Sequence, residues 1–225
     1  MTPQRQALQH LLQALENAAS AADRPAARLL AVSKTQPAQA VATLASFGQR
    51  AFGENYVQEG VAKLLALRAL DLEWHLIGHL QSNKCPEVAE HFDWVQSLDR
   101  SKLVGALSRH RSPQRPPLNI LIQVNADGEA GKSGCAPEQI GALARSVCAT
   151  TNLRLRGLMA IPEPTPDPGK RRQTFARLRR LFDQLRLAVP GVDTLSMGMS
   201  EDFPMAVEEG STMVRIGSAL FGPRT

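Results

Sequence analysis

The chain has 225 residues, 43% of them hydrophobic but only 4% aromatic, so its core must be aliphatic rather than packed on rings. A net charge of +5 admits a phosphate-bearing partner without requiring nucleic acid, and three cysteines without C-x-x-C spacing indicate neither a disulfide framework nor a zinc ribbon. The opening "MTPQRQALQHLLQALENAA" lacks a signal-peptide core and no apolar run reaches transmembrane length, so a cytoplasmic protein without membrane contact is expected.

The first segment carries leucines at 8, 11, 12 and 15, a helical spacing. Short apolar runs follow at Leu29–Lys34, Ala51–Asn55, Glu73–Gly78 and Asp93–Asp99, then at Leu118–Asn125, Leu153–Ile161, Thr194–Gly198 and Met213–Gly217. Helical signals lie between them. Pro37 opens "PAQAVATLASF", Ser101 can cap "KLVGALSRH", and Pro137 takes a first-turn position in "PEQIGALARSVCA". From Arg172 to Leu187, apolar residues at 175, 178, 181, 182 and 185 share one helix face. Eight alternating units predict a single (β/α)8 TIM barrel with an extra N-terminal helix, one domain over residues 1–225; an open doubly wound sheet is the competing topology. "IPEPTPDPG" (161–169) reads as one long loop after a strand.

A barrel builds its site at the C-terminal strand ends. There the sequence places Lys34, Glu54 with Asn55, His79 with Gln81, Ser97 with Asp99, and Asn125. "SMGMS" (196–200) follows the seventh strand and "RIGSALFG" (215–222) spans the eighth, a glycine and serine set suited to a phosphate dianion. Lys34 ends "LLAVSK", which predicts an ammonium delivered into the barrel mouth, where desolvation would lower its pKa and free the amine to attack an aldehyde. Taken alone, a strand-end lysine more often snorkels to water. The phosphate site across the same mouth weighs against that.

Three other motifs compete. "ADGEAGKS" (126–133) matches a P-loop at Gly131, Lys132 and Ser133, but Ala126 replaces the first glycine and "SGCAPEQ" delays the helix. His75 and His79 have the i, i+4 spacing of a metal pair, but Gly78 lies between them in a strand-like run, so no metal is expected. The basic run "GKRRQTFARLRR" (169–180) puts its apolar residues on one helix face, leaving the arginines as its solvated side and no nucleic-acid partner.

"LLAVSKTQP" (29–37), "AFGENYVQE" (51–59), "WHLIGHLQSNK" (74–84) and "LRGLMAIP" (155–162) stand in order along the chain. With "GKSG" (131–134) and "LSMGMSEDFPMAVEEGSTMVRIGSALFG" (195–222), they resemble the pyridoxal phosphate homeostasis proteins, a family related to the barrel domain of alanine racemase. The resemblance implies that Lys34 carries pyridoxal phosphate as an internal Schiff base, a covalent aldimine. Arg215 would then lie near the pyridine nitrogen and Asn55 near the ring. Ser196, Met197, Gly198 and Ser200 would hold the phosphate with Gly217 and Ser218. By their own positions after strands two, three and five, Tyr56, His79 and Lys132 are expected at the rim, Tyr56 either packed against the cofactor or capping a helix. Gln36 departs from the family, which often has a second lysine at that position.

The resemblance further implies a role in cofactor supply, with PLP-dependent apo-enzymes as recipients and the chain acting as a monomer. A racemase is the second reading. It needs a proton donor on each face of the substrate carbon, and Lys34 supplies one. The only tyrosine is Tyr56, and up to Thr225 no β-domain supplies the opposing one. No catalytic residue is therefore assigned.

Overall fold

In a computed structural model, residues 2–128 and 133–222 are described. Eight parallel strands close into a barrel in sequence order: β1 (Arg28–Val32), β2 (Ala51–Glu54), β3 (Glu73–Leu76), β4 (Trp94–Leu98), β5 (Leu118–Gln123), β6 (Leu153–Met159), β7 (Thr194–Ser196) and β8 (Met213–Ile216). The eighth pairs with the first, Leu30 beside Arg215 and Ala31 beside Ile216. Closure excludes the open sheet, and it leaves no strand edge for another chain to extend.

The extra helix α1 (Pro3–Ala21) starts on a proline, whose missing N–H costs nothing in a first turn. It buries Leu8, Leu11, Leu15 and Ala19, a stripe three to four residues apart, whereas Leu12 falls off the stripe and is 43% exposed. Helices α2 (Ala38–Ser46), α3 (Val57–Ala66), α4 (Cys85–His91), α5 (Ser101–His110) and α6 (Ile140–Cys148) follow β1 to β5. A single 3₁₀ turn, Pro137–Gln139, leads into α6, so the expected start at Pro137 is displaced by one turn.

The long α7 (Pro168–Ala188) outruns the expected span because Asp167 caps it, its carboxylate accepting from the N–H groups of Gly169 and Lys170. It buries Phe175, Leu178, Phe182 and Leu185. Its arginines do more than face water: Arg172 bonds Glu208 and Glu209 at 2.6 Å each, Arg171 pairs with Asp202, and Arg179 pairs with Asp183 at 2.7 Å. Two short helices, α8 (Phe203–Glu208) and α9 (Ser218–Phe221), complete the ring, and α1 packs against both.

Strand residues alternate between the helix layer and the barrel interior. Leu29, Ala31, Phe52, Trp74, Leu76, Val214 and Ile216 join the large outer core under the helices. Leu30, Ala51 and Met213 form a separate inner cluster with Ile77, and Trp94, Leu121 and Met159 form another. Each fully buried Leu or Phe in these layers contributes roughly 1.5–3 kcal/mol of transfer free energy. Polar residues at inward positions of such strands are the exceptions that build the site.

Candidate functional site

Lys34 is not the last residue of β1, as the run "LLAVSK" led one to expect. The strand stops at Val32, and Lys34 is the second residue of a four-residue turn closed by the Gln36 N–H donating to the Ser33 carbonyl at 3.0 Å. The third residue, Thr35, has φ +64°. That left-handed conformation is unfavourable for a β-branched residue, so surrounding contacts must impose it. Lys34 itself is half-buried and continues the inward set of Leu30 and Val32.

On the next strand the expected polar pair separates. Glu54 was expected in the mouth, but alternation turns it outward with Phe52, into the layer between β2 and α3, where it is fully buried. Its Oε1 accepts from Ser33 Oγ at 2.6 Å and from Lys63 Nζ at 2.8 Å. Burial pushes the Glu54 carboxyl above its ordinary value, against the pull of Lys63 and Ser33. Asn55 is half-buried, and Gly78 lies so close that a Cβ there would sit 2.0 Å from the Asn55 carbonyl oxygen. Tyr56 is the N-cap residue of α3, 60% exposed and without a capping bond. His79 is exposed beyond β3.

The inward face of β3, β4, β7 and β8 carries a continuous chain of hydrogen bonds. Arg215 is 4% exposed; its Nη1 donates to the carbonyl and the Oγ of Ser196 at 2.8 Å each, and its Nη2 donates to the Ala160 carbonyl at 2.8 Å. Ser196 Oγ donates to Gln96 Oε1 at 2.8 Å, and Gln96 Nε2 lies 2.9 Å from His75 Nδ1. His75 Nε2 reaches Glu73 Oε1 at 2.6 Å, and Glu73 pairs with Arg28 at 2.8 Å.

Each link follows from the last. A guanidinium only donates, so the serine proton must go to Gln96; the amide N–H then faces His75 Nδ1, leaving Nε2–H to donate to Glu73. Burial lowers the His75 pKa and keeps the ring neutral, as an accepting Nδ1 requires. Burial would raise the Glu73 carboxyl, but His75 and Arg28 outweigh it and hold it at about 2. Burial also lowers Arg215 to about 10, which still leaves it charged at neutral pH. Gln96 and His75 were not among the expected site residues. A polar residue inside a run such as "WVQSL" or "EWHL", at an inward position, is the signal that finds them.

The segment after β7 turns sharply. Gly198 has φ +94°, and a Cβ there would stand 2.6 Å from the Ala206 Cβ, so only glycine lets this loop pass α8. Asp202 Oδ1 accepts from the Met199 N–H at 2.7 Å and fixes the bend. Ser196 and Met197 are fully buried. Met197 lies in the outer core, its N–H bonded to Met213 and its carbonyl to Ser211, so it shapes the loop rather than facing the mouth. Ser200 and Ser218 approach across the two loops, Oγ to Oγ 3.4 Å, and Gly217 precedes α9. The backbone N–H groups of Ser200 and Gly217 have no backbone acceptor among the described residues.

Gly131 and Lys132 lie outside the described residues, so of the three residues that match the P-loop only Ser133 is described. Among the described residues no group of three His, Cys, Asp or Glu could hold a metal ion, and no helix is long and apolar enough to cross a membrane.

Residues 4–225 match the family model described as alanine racemase, N-terminal domain. A curated relative from Pseudomonas aeruginosa, named pyridoxal phosphate homeostasis protein, is 55% identical over 212 residues, 93% of this chain and 91% of that one. A relative of the same name from Vibrio cholerae is 50% identical over 226 residues, covering 98% and 96%. The solved structure of PipY from Synechococcus elongatus with PLP bound is 37% identical. It matches with a TM-score of 0.81 over 93% of this chain and 100% of its own.

Proposed function

The chain belongs to the pyridoxal phosphate homeostasis proteins, within the broader alanine racemase N-terminal domain family, and from that premise we propose that it binds pyridoxal 5'-phosphate in its barrel mouth and serves in cofactor homeostasis. The observation that carries the reading is the pairing of β1 with β8. It brings the Lys34 turn, buried Arg215 and the Gly217–Ser218 loop onto adjacent strands at one side of the mouth.

The residues fit such a group. Arg215 keeps its Nε–H and one Nη2–H without an acceptor among the described residues, though the guanidinium is otherwise anchored. Ser200, Ser218 and the amides of Ser200 and Gly217 offer donors to a dianion. Lys34 would hold the aldehyde end, with Asn55 beside the ring. When bound, the cofactor supplies an aldehyde that condenses with amines and a pyridine ring that withdraws electrons. Arg215, a guanidinium that cannot take up a proton, would leave a ring nitrogen beside it unprotonated and so weaken the electron sink. The site is therefore built to hold cofactor more than to turn over amino acids. On this reading the protein works in the cytoplasm as a monomer and hands cofactor to apo-enzymes that require it.

The test is spectroscopic. Reconstituted protein is expected to show a visible absorbance band that borohydride bleaches, leaving the cofactor's mass on the peptide containing Lys34; Lys34→Ala shows neither. A wild-type protein that stays colourless after reconstitution overturns the proposal.

A further inference from the structure

We propose that Lys63 and Glu59, on one face of α3, act as positioning residues that aim Lys34 by clamping the turn on which it sits. The inference rests on the reading of Lys34 as the residue that holds the aldehyde. The Lys63 ammonium has three N–H donors, and all three are used: on the Ser33 carbonyl at 2.6 Å, Glu54 Oε1 at 2.8 Å and Glu59 Oε1 at 2.7 Å. Glu59 Oε1 also accepts from the Thr35 N–H at 2.6 Å. Ser33 and Thr35 are the two neighbours of Lys34, so each peptide unit flanking the lysine is held from behind by a charged group of α3. The four-residue spacing from Glu59 to Lys63 places both on one helix face.

The clamp accounts for two features that are otherwise costly. Thr35 is held at φ +64° by the short bond from its N–H to Glu59. Lys63 is only 6% exposed, and burial of a lysine requires partners for its charge. Glu54 supplies one from the strand, with Oε1 shared between Ser33 Oγ and Lys63, while Oε2 is buried without a partner among the described residues. The cluster is thus directed at the turn: every bond of Lys63 ends on Ser33 or on a carboxylate that itself bonds Ser33 or Thr35.

Four proteins test this: wild type, Glu59→Ala, Glu59→Gln, and a Lys63→Met/Glu54→Leu double variant that replaces the buried ion pair with apolar groups. Each is first shown by circular dichroism to be folded at the working temperature. The first readout is limited reductive methylation of the cofactor-free protein by formaldehyde and cyanoborohydride, with Lys34 measured by peptide mass spectrometry against exposed Lys170. The second is the rate at which PLP leaves the loaded protein. Glu59→Ala and the double variant are expected to label Lys34 at least about threefold faster and to release PLP roughly tenfold faster, the scale of one lost hydrogen bond to a charged group. Glu59→Gln, which keeps an acceptor oxygen for Thr35, recovers most of the wild-type behaviour. Folded Glu59→Ala with wild-type labelling and release overturns the clamp. Altered labelling in a protein whose wild type never retains PLP sustains the clamp and removes the cofactor reading instead.

Discussion

Arg215 and Ser196 are bonded twice: one guanidinium nitrogen donates to both the carbonyl and the hydroxyl of the serine, 2.8 Å each. Two neighbouring strands thereby lock a buried cation, and the serine proton is forced onward to Gln96. The polarity of the interior chain is set at Arg215 and ends on the Glu73 carboxylate.

Removing the middle link should be costly. In Gln96→Leu the Ser196 hydroxyl and His75 Nδ1 each lose a buried partner, a loss of about 2–6 kcal/mol at about 1–3 kcal/mol for each unsatisfied group. Urea unfolding measures it, and a PLP titration should show affinity weakened about tenfold as Arg215 loosens. A variant as stable as wild type would mean that the chain is not cooperative.

The same chain makes stability depend on acid in a stated direction. The folded-state pKa of Glu73 lies at about 2, below the ordinary 4.5, so its contribution is fully present above pH 4.5 and is lost as pH falls towards 2. His75 is also lowered, so its contribution is present above about pH 6.5 and fades as pH falls below that value. Glu54, raised by burial, has the opposite sign. Subtracting the pH–stability curve of Glu73→Gln from that of wild type isolates the first effect. The difference should be constant above about pH 6.5, where neither Glu73 nor its partner His75 titrates, and should shrink below pH 4.5 as Glu73 takes up its proton. A difference independent of pH from 6 to 2 contradicts the ion pairing with Arg28.

Gly198→Ala should strain the loop after β7. Its positive φ and the 2.6 Å approach to Ala206 together predict a loss of about 1–3 kcal/mol. Because the bend presents Ser200, PLP retention should fall with it. Thermal melts and cofactor release are the two measurements, and unchanged values in both would show that α8 gives way.

The three thiols should divide cleanly. Cys85 and Cys135 are buried and their thiols pushed up by burial, Cys135 to about 11, whereas Cys148 is exposed. Native protein at pH 7.5 should alkylate at Cys148 within minutes, and at all three only after unfolding. Rapid native labelling of Cys135 would contradict its packing against β5.

Much of the barrel was legible because its signals are local. Eight apolar runs bounded by turn residues, together with the spacing of helical residues such as Phe175, Leu178, Phe182 and Leu185, depend on periodicity within a single element. Helices as short as α8 and α9, six and four residues long, leave too little periodicity to read. The serine and glycine letters after β7 and β8, and Lys34 after β1, mark strand ends that any barrel brings to one mouth.

The roles of individual side chains were decided elsewhere. Whether Glu54 faces the mouth or α3 depends on where its strand starts, since a shift of one residue exchanges the two faces. Met197 and Ser196 are adjacent in the chain, yet one joins the outer core and the other anchors Arg215. Ser196 meets Gln96 across 100 residues, and Lys63 meets Ser33 across 30. No local pattern encodes such pairs. The number and order of the elements followed from the order of residues alone, because alternation and helical spacing are properties of short segments. Which polar groups share a proton or a charge was set by the folded barrel, because partners for buried donors are supplied by whichever strand its closure brings alongside.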